Sequence, residues 1–136
     1  MIIVDASIVY KWIVDEEPLA VTTQARTLLR NLAQDGEEII APNILMYEIG
    51  NVFAYKAHLE IDDIKKAWQE FSLLPILFED TNLEFIGSCI EFSKKHIVSV
   101  YDAAYAVLAK EKRCDLITAD AKFVRQVNLP YVKLLK

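Results

Sequence analysis

Between Ser99 and Asp120 the chain reads SVYDAAYAVLAKEKRCDLITAD, a run with helical spacing followed by one with the length of a buried strand. Ala103, Ala104, Val107 and Leu108 recur at helical intervals, which places Asp102 in the first turn, where the helix dipole favours negative charge. Lys110, Lys112 and Arg113 close the helix with the sign its C-terminus favours. Asp115 and Leu116 then lead into an apolar strand ending at Asp120. A helix feeding such a strand suggests a βαβ crossover, which restricts the chain to an α/β architecture. In open sheets of that kind ligands bind outside the carboxyl ends of the strands. Asp120 is therefore a candidate site residue, and Asp115, at the strand's other end, is not.

The N-terminus repeats the pattern. Met1 to Val4 suits a buried parallel strand, Asp5 follows it directly, and Ser7 opens a short helix to about Val14. Two carboxylates at neighbouring strand ends, with no basic residue adjacent in sequence, raise each other's pKa unless a cation holds them, and a divalent metal resolves the conflict. A third carboxylate comes from a helix that Pro42 introduces, expected from about Asn43 to His58. Glu48 and Asn51 lie three residues apart on one face of it, among Leu45, Ile49, Val52 and Phe53. A carboxylate on so apolar a helix either has a partner or reaches water at the edge of the stripe.

Further helices are expected from Leu19 until Gly36 ends the run, after a cap at Asp62 or Asp63, from Leu83 to Lys95 and from Ala121 to Val127. Further strands are expected at Glu37 to Ala41, Ile76 to Phe78 and Tyr131 to Leu135. The order β-α-α-β-α-α-β-α-α-β-α-β predicts an α/β fold with a mainly parallel sheet and helices on both faces. Glu79 and Asp80 also follow a strand, but Asp80-Thr81-Asn82 reads as a turn and helix cap, so they stay outside the site. His58 and His96 fall at helix ends among charged residues, where capping or exposure is the better reading than metal ligation.

With 136 residues, 54% of them apolar, and few Gly or Pro, the chain suits a single domain with a compact core. No apolar run approaches the roughly 20 residues of a membrane span. The N-terminus lacks the basic and apolar regions of a signal peptide, so the expected location is cytoplasmic. Cys89 and Cys114 lack the spacing of a zinc site and read as buried free thiols. The net charge of −5 argues mildly against nucleic acid, but it is uneven, with −9 over residues 1–90 and +4 over residues 91–136. That surplus is expected beside Asp102 and Asp120, where Lys94, Lys95, Lys110, Lys112, Arg113, Lys122 and Arg125 are available to a phosphate backbone, although a solvated helix face is the better reading for any single one of them.

Taken together, Asp5, Glu48, Asp102 and Asp120 make the chain resemble the PIN-domain nucleases, and among them the VapC-like toxins of toxin-antitoxin pairs. The resemblance runs through Val4-Asp5-Ala6-Ser7 with Lys11-Trp12, and Ala41-Pro42 with Leu45, Glu48 and Asn51. It continues through Tyr101-Asp102-Ala103 with Tyr105 and Leu108-Ala109, and ends on Leu116-Ile117-Thr118-Ala119-Asp120 with Phe123. It implies a Rossmann-like sheet, a Mg²⁺- or Mn²⁺-dependent endoribonuclease acting on RNA, a homodimer, and inhibition by a cognate antitoxin. All-oxygen ligands suit those ions, which activate water and stabilise a leaving oxygen in phosphodiester hydrolysis. Asp5, Glu48 and Asp102 are the expected ligands, with Asp120 binding directly or through water, and Ser7, Asn51 and Thr118 in support. From the resemblance and the apolar surplus together, part of the set Trp12, Tyr47, Tyr55, Trp68, Phe71, Phe85 and Phe92 is expected to stay exposed beside the first and third helices. A partner's amphipathic helix would dock there, and a basic residue after it would reach the carboxylates.

A haloacid-dehalogenase-type phosphatase also starts with a strand and an aspartate, but it needs a second Asp where Ser7 stands. A phosphate-receiver domain expects an acidic pair where Asp5-Ala6 supplies one acid. The rival from another class is a catalytically idle PIN-like module that only binds protein.

Overall fold

The computed structural model describes residues 1–56 and 58–136. Among them are five strands: β1 (Ile2–Val4), β2 (Ile39–Pro42), β3 (Ile76–Glu79), β4 (Asp115–Thr118) and β5 (Val132–Leu134). The helices are α1 (Ala6–Ile13), α2 (Leu19–Gln34), α3 (Ile44–Tyr55), α4 (Ile61–Ser72), α5 (Leu83–His96), α6 (Val100–Lys112) and α7 (Ala121–Val127). The chain order is the expected one. All strand pairs are parallel, in the order β3-β2-β1-β4-β5.

The strand order fixes where a ligand can bind. From β1 the chain moves outward to β2 and β3, then returns across them to place β4 on the other side of β1. The gap between β1 and β4 is thus the topological switch point, and with right-handed crossovers the helices before and after it cover opposite faces. Helix α6 makes the return, lying across β2, β1 and β4. Its residues Ala103 to Ala109 are all buried, as a helix that is apolar all round must be. Elsewhere α1 packs on α2, α3 and α4, and the Trp12 indole N–H donates to the Ala25 carbonyl at 2.7 Å.

Several helix ends differ from expectation, for local reasons. Asp5, not Ser7, caps α1, because its carboxylate reaches the free amides of the first turn. Glu60, not Asp62 or Asp63, caps α4, and Asp63 returns a bond to the Glu60 amide as a capping box. Helix α3 stops at Tyr55; of the longer helix expected to His58, Ala57 lies outside the described residues. After α2, Gly36 takes φ +66° as Glu37 N–H closes on the Leu32 carbonyl, the left-handed turn that ends the helix.

Candidate active site

The carboxylates gather at the switch point from four different elements. Asp5 leaves β1 and caps α1; its Oδ1 accepts from Ser7 N–H at 3.0 Å, Ile8 N–H at 3.3 Å and the Ser7 hydroxyl at 2.5 Å. Asp120 lies two residues beyond β4 and caps α7, accepting the Phe123 amide at 2.9 Å. Asp102 sits in the first turn of α6, which Ser99 caps by accepting the Asp102 amide at 3.0 Å. Glu48 projects from α3, and its Oε1 accepts the Tyr105 hydroxyl at 2.6 Å.

Two small hydroxyls join the strand ends. Ser7 Oγ accepts the Ala119 amide at 2.9 Å and lies 3.4 Å from Thr118 Oγ1. Thr118, fully buried, accepts the Asp120 amide at 3.0 Å. Both expected supporting hydroxyls therefore border Asp5. Asn51 does not: it is exposed one turn beyond Glu48 and makes no hydrogen bond to the acids among the described residues.

The carboxylates feel one another's charge. Burial raises the pKa of Asp5 against the lowering effect of the bonds from Ser7, Thr118 and Ile8, and the Asp102 charge raises it further. Burial likewise raises Glu48, countered by Tyr105 and reinforced by Asp5 and Asp102. Asp102 is raised by burial, countered by Ser99 and reinforced by Asp120. None of the four takes part in an ion pair among the described residues. Nor do three acidic, cysteine or histidine side chains among those residues converge as a ready-made metal cage. Asp5 and Asp120 accept from helix amides, and Glu48 accepts from Tyr105.

Tyr105 and Lys11 belong to this region without having been singled out as site residues. The seven-residue buried run of α6 carried the signal for Tyr105, since a buried phenol must find a partner. Lys11 is buried on α1, its ammonium donating to the Ser7 carbonyl and to Glu16 Oε1, both at 3.3 Å. Glu16 also lies 3.6 Å from the Lys56 amine, so Lys11 is neutralised away from the carboxylates.

Four of the basic residues, Lys95, Lys110, Lys112 and Arg113, do not gather as expected. Lys112 is paired with Glu79 at 2.6 Å. Lys95, Lys110 and Arg113 line a separate groove of about 690 Å³ between α5, α6 and the start of β5. At the helical rise, Lys110 and Arg113 stand about 12 and about 16 Å along α6 from Asp102. Lys122 and Arg125 lie on α7, the helix that Asp120 caps.

The PIN domain family model matches residues 2–128. No curated protein matches the chain by sequence. Among solved structures, VapC20 of Mycobacterium tuberculosis, a sarcin-ricin loop cleaving toxin, is similar with a TM-score of 0.72 and 16% identity, over 100% of both chains. VapBC2 of Rickettsia felis, bound to a DNA fragment from its promoter, aligns with a TM-score of 0.70 and 16% identity over 98% of this chain and 97% of the other. FitAcB of Neisseria gonorrhoeae aligns with a TM-score of 0.65 and 15% identity over 100% of this chain and 97% of the other.

Proposed function

The chain belongs to the PIN domain family, and on that footing we propose that it is a divalent-metal-dependent endoribonuclease, the toxin of a toxin-antitoxin pair. The observation that carries this reading is four carboxylates brought from four elements to the switch point, with no basic partner among the described residues and with burial raising the pKa of three of them. The donor set is all oxygen and carries uncompensated negative charge, which fits Mg²⁺, or Mn²⁺ in its place. Asp5, Glu48 and Asp102 hold the ion, with Asp120 directly or through water. When bound, the ion polarises a phosphodiester and lowers the pKa of water.

The chain's own groups supply the rest. Ser7 and Ile8 engage Asp5 Oδ1, which fixes the carboxylate in one orientation and leaves Oδ2 outside those bonds. Thr118 and Ser7 set the distance between the two strand ends, and the buried α6 fixes Asp102 against them. In this reading the substrate is RNA, the inhibitor is a cognate antitoxin protein, and the protein works in the cytoplasm as a homodimer. The likeness to the VapBC2 assembly supports the antitoxin. No helix among the described residues is long and apolar enough to cross a membrane.

The test is cleavage of RNA by the purified protein with Mg²⁺ or Mn²⁺, repeated in excess EDTA. Cleavage confined to the metal samples is expected. Undiminished cleavage in EDTA overturns the mechanism, and absence of both cleavage and metal binding leaves the idle protein-binding module.

A further inference from the structure

Tyr105 is 1% exposed, packed in the central helix between the sheet and its neighbours, and among the described residues its hydroxyl makes a single hydrogen bond, to Glu48 Oε1 at 2.6 Å. At that length the bond is a charge-assisted one from a phenol to a carboxylate. It joins α6 to α3 across 57 residues of chain. Phenylalanine would fill the same space without burying a hydroxyl that needs a partner, so the oxygen is there for Glu48. The bond engages Oε1 of that carboxylate and, among the described residues, leaves Oε2 without a hydrogen bond.

We propose that Tyr105 is a positioning residue: by holding Oε1, it makes Glu48 offer a divalent cation one oxygen instead of two, and so tilts the site toward Mg²⁺ and away from Ca²⁺. Mg²⁺ demands compact octahedral geometry with single oxygens from each carboxylate, whereas Ca²⁺ accepts more ligands and takes carboxylates in pairs of oxygens. Partners of this kind also fix the rotamer of a ligand, and losing one typically weakens metal affinity about 10- to 100-fold. The inference rests on the proposed metal site and adds a cation preference to it.

Calorimetric titration of Mg²⁺ and Ca²⁺ into metal-free protein tests it, with Tyr105→Phe, Glu48→Gln and the double variant. Tyr105→Phe is expected to weaken Mg²⁺ binding about tenfold while leaving Ca²⁺ binding unchanged or tighter. In the Glu48→Gln background the same change is expected to do nothing, because the carboxylate it acts through is gone. If the wild type binds Mg²⁺ but Tyr105→Phe leaves the Mg²⁺ to Ca²⁺ ratio as it was, the role of Tyr105 is wrong and the metal site stands. If the wild type binds neither ion, both fall. Should Tyr105→Phe melt below the assay temperature, wild-type protein labelled with ¹³C at tyrosine Cζ gives the answer. Mg²⁺ must then shift the Tyr105 resonance, assigned through its contacts with neighbouring residues, more than Ca²⁺ does, and equal or absent shifts overturn the proposal.

Discussion

The hydroxyl of Ser7 accepts the backbone N–H of Ala119 at 2.9 Å, and the same hydroxyl lies 2.5 Å from Asp5 Oδ1. One small side chain thus latches the end of β1 to the end of β4. Remove it, and a part-buried amide loses its acceptor while Asp5 Oδ1 loses one of its three donors.

Ser7→Ala is therefore expected to destabilise the protein by about 1–3 kcal/mol, the usual cost of orphaning a buried polar group. Thermal melts should show a fall of several degrees. Asp5→Asn should behave oppositely. An asparagine oxygen still caps α1 and accepts from Ser7, so the melting point should hold while metal-dependent RNA cleavage is lost. A drop of several degrees in metal-free Asp5→Asn would mark Asp5 as a structural cap.

The acidic cluster sets a pH dependence whose sign is opposite to that of a salt-bridged carboxylate. Asp5, Glu48 and Asp102 titrate above their usual range in the fold, chiefly through burial. The native state keeps protons that the unfolded chain has released, so their contribution to stability falls as pH rises from the ordinary carboxylate pKa of about 4 through the raised folded values. In EDTA, the wild type should lose more stability than Asp5→Asn between about pH 4 and about pH 7. Mg²⁺ should restore more at the higher pH, since the ion competes with protons. Identical pH slopes for the two proteins would contradict the raised Asp5 pKa.

Much of this architecture was written in periodicity. The twelve elements and their order follow from apolar runs, and Asp5 and Asp120 from their place just after strands. What escaped were facts about contact. Glu48 was left between a partner and water because its partner, Tyr105, is 57 residues away on a helix whose burial, not spacing, made the pairing necessary. The basic residues were expected beside the acids because they are close in sequence, but an α-helix carries Lys110 and Arg113 far from Asp102. The caps of α1 and α4 moved by two or three residues because any short acid near a helix start competes for the same free amides.

Lys11 gives a stability prediction independent of the carboxylates. Its ammonium is buried and depends on Glu16, itself shared with Lys56. Glu16→Gln should destabilise the fold by about 1–3 kcal/mol, because a buried cation is left without its counter-charge. Glu17→Gln, one residue along and exposed, serves as the control and should leave the melting point nearly unchanged.

The proposed antitoxin should inhibit in two separable ways. Tyr47 and Tyr55 on α3 are 81% and 83% exposed and Trp68 on α4 is 41% exposed, an apolar surface beside Glu48, whereas Trp12 and Phe71 are buried in the core and take no part. A partner helix docked there, followed by an arginine reaching the carboxylates, blocks the site by occupying it. Truncating the partner before that arginine should preserve binding and restore at least part of the cleavage. Full inhibition by the truncated partner would mean that covering the surface suffices.

Strand β4 pairs with β1 although Ser7 and Ala119 are 112 residues apart. On the ribosome, β1, β2 and β3 can pair as they emerge, but the other edge of β1 stays open until residues 115–118 arrive. Asp120 follows only after that. A nascent chain therefore carries three acids without the fourth, and a latch serine with nothing to latch. Translation halted anywhere before residue 120 produces an unfinished site, not a weakened one.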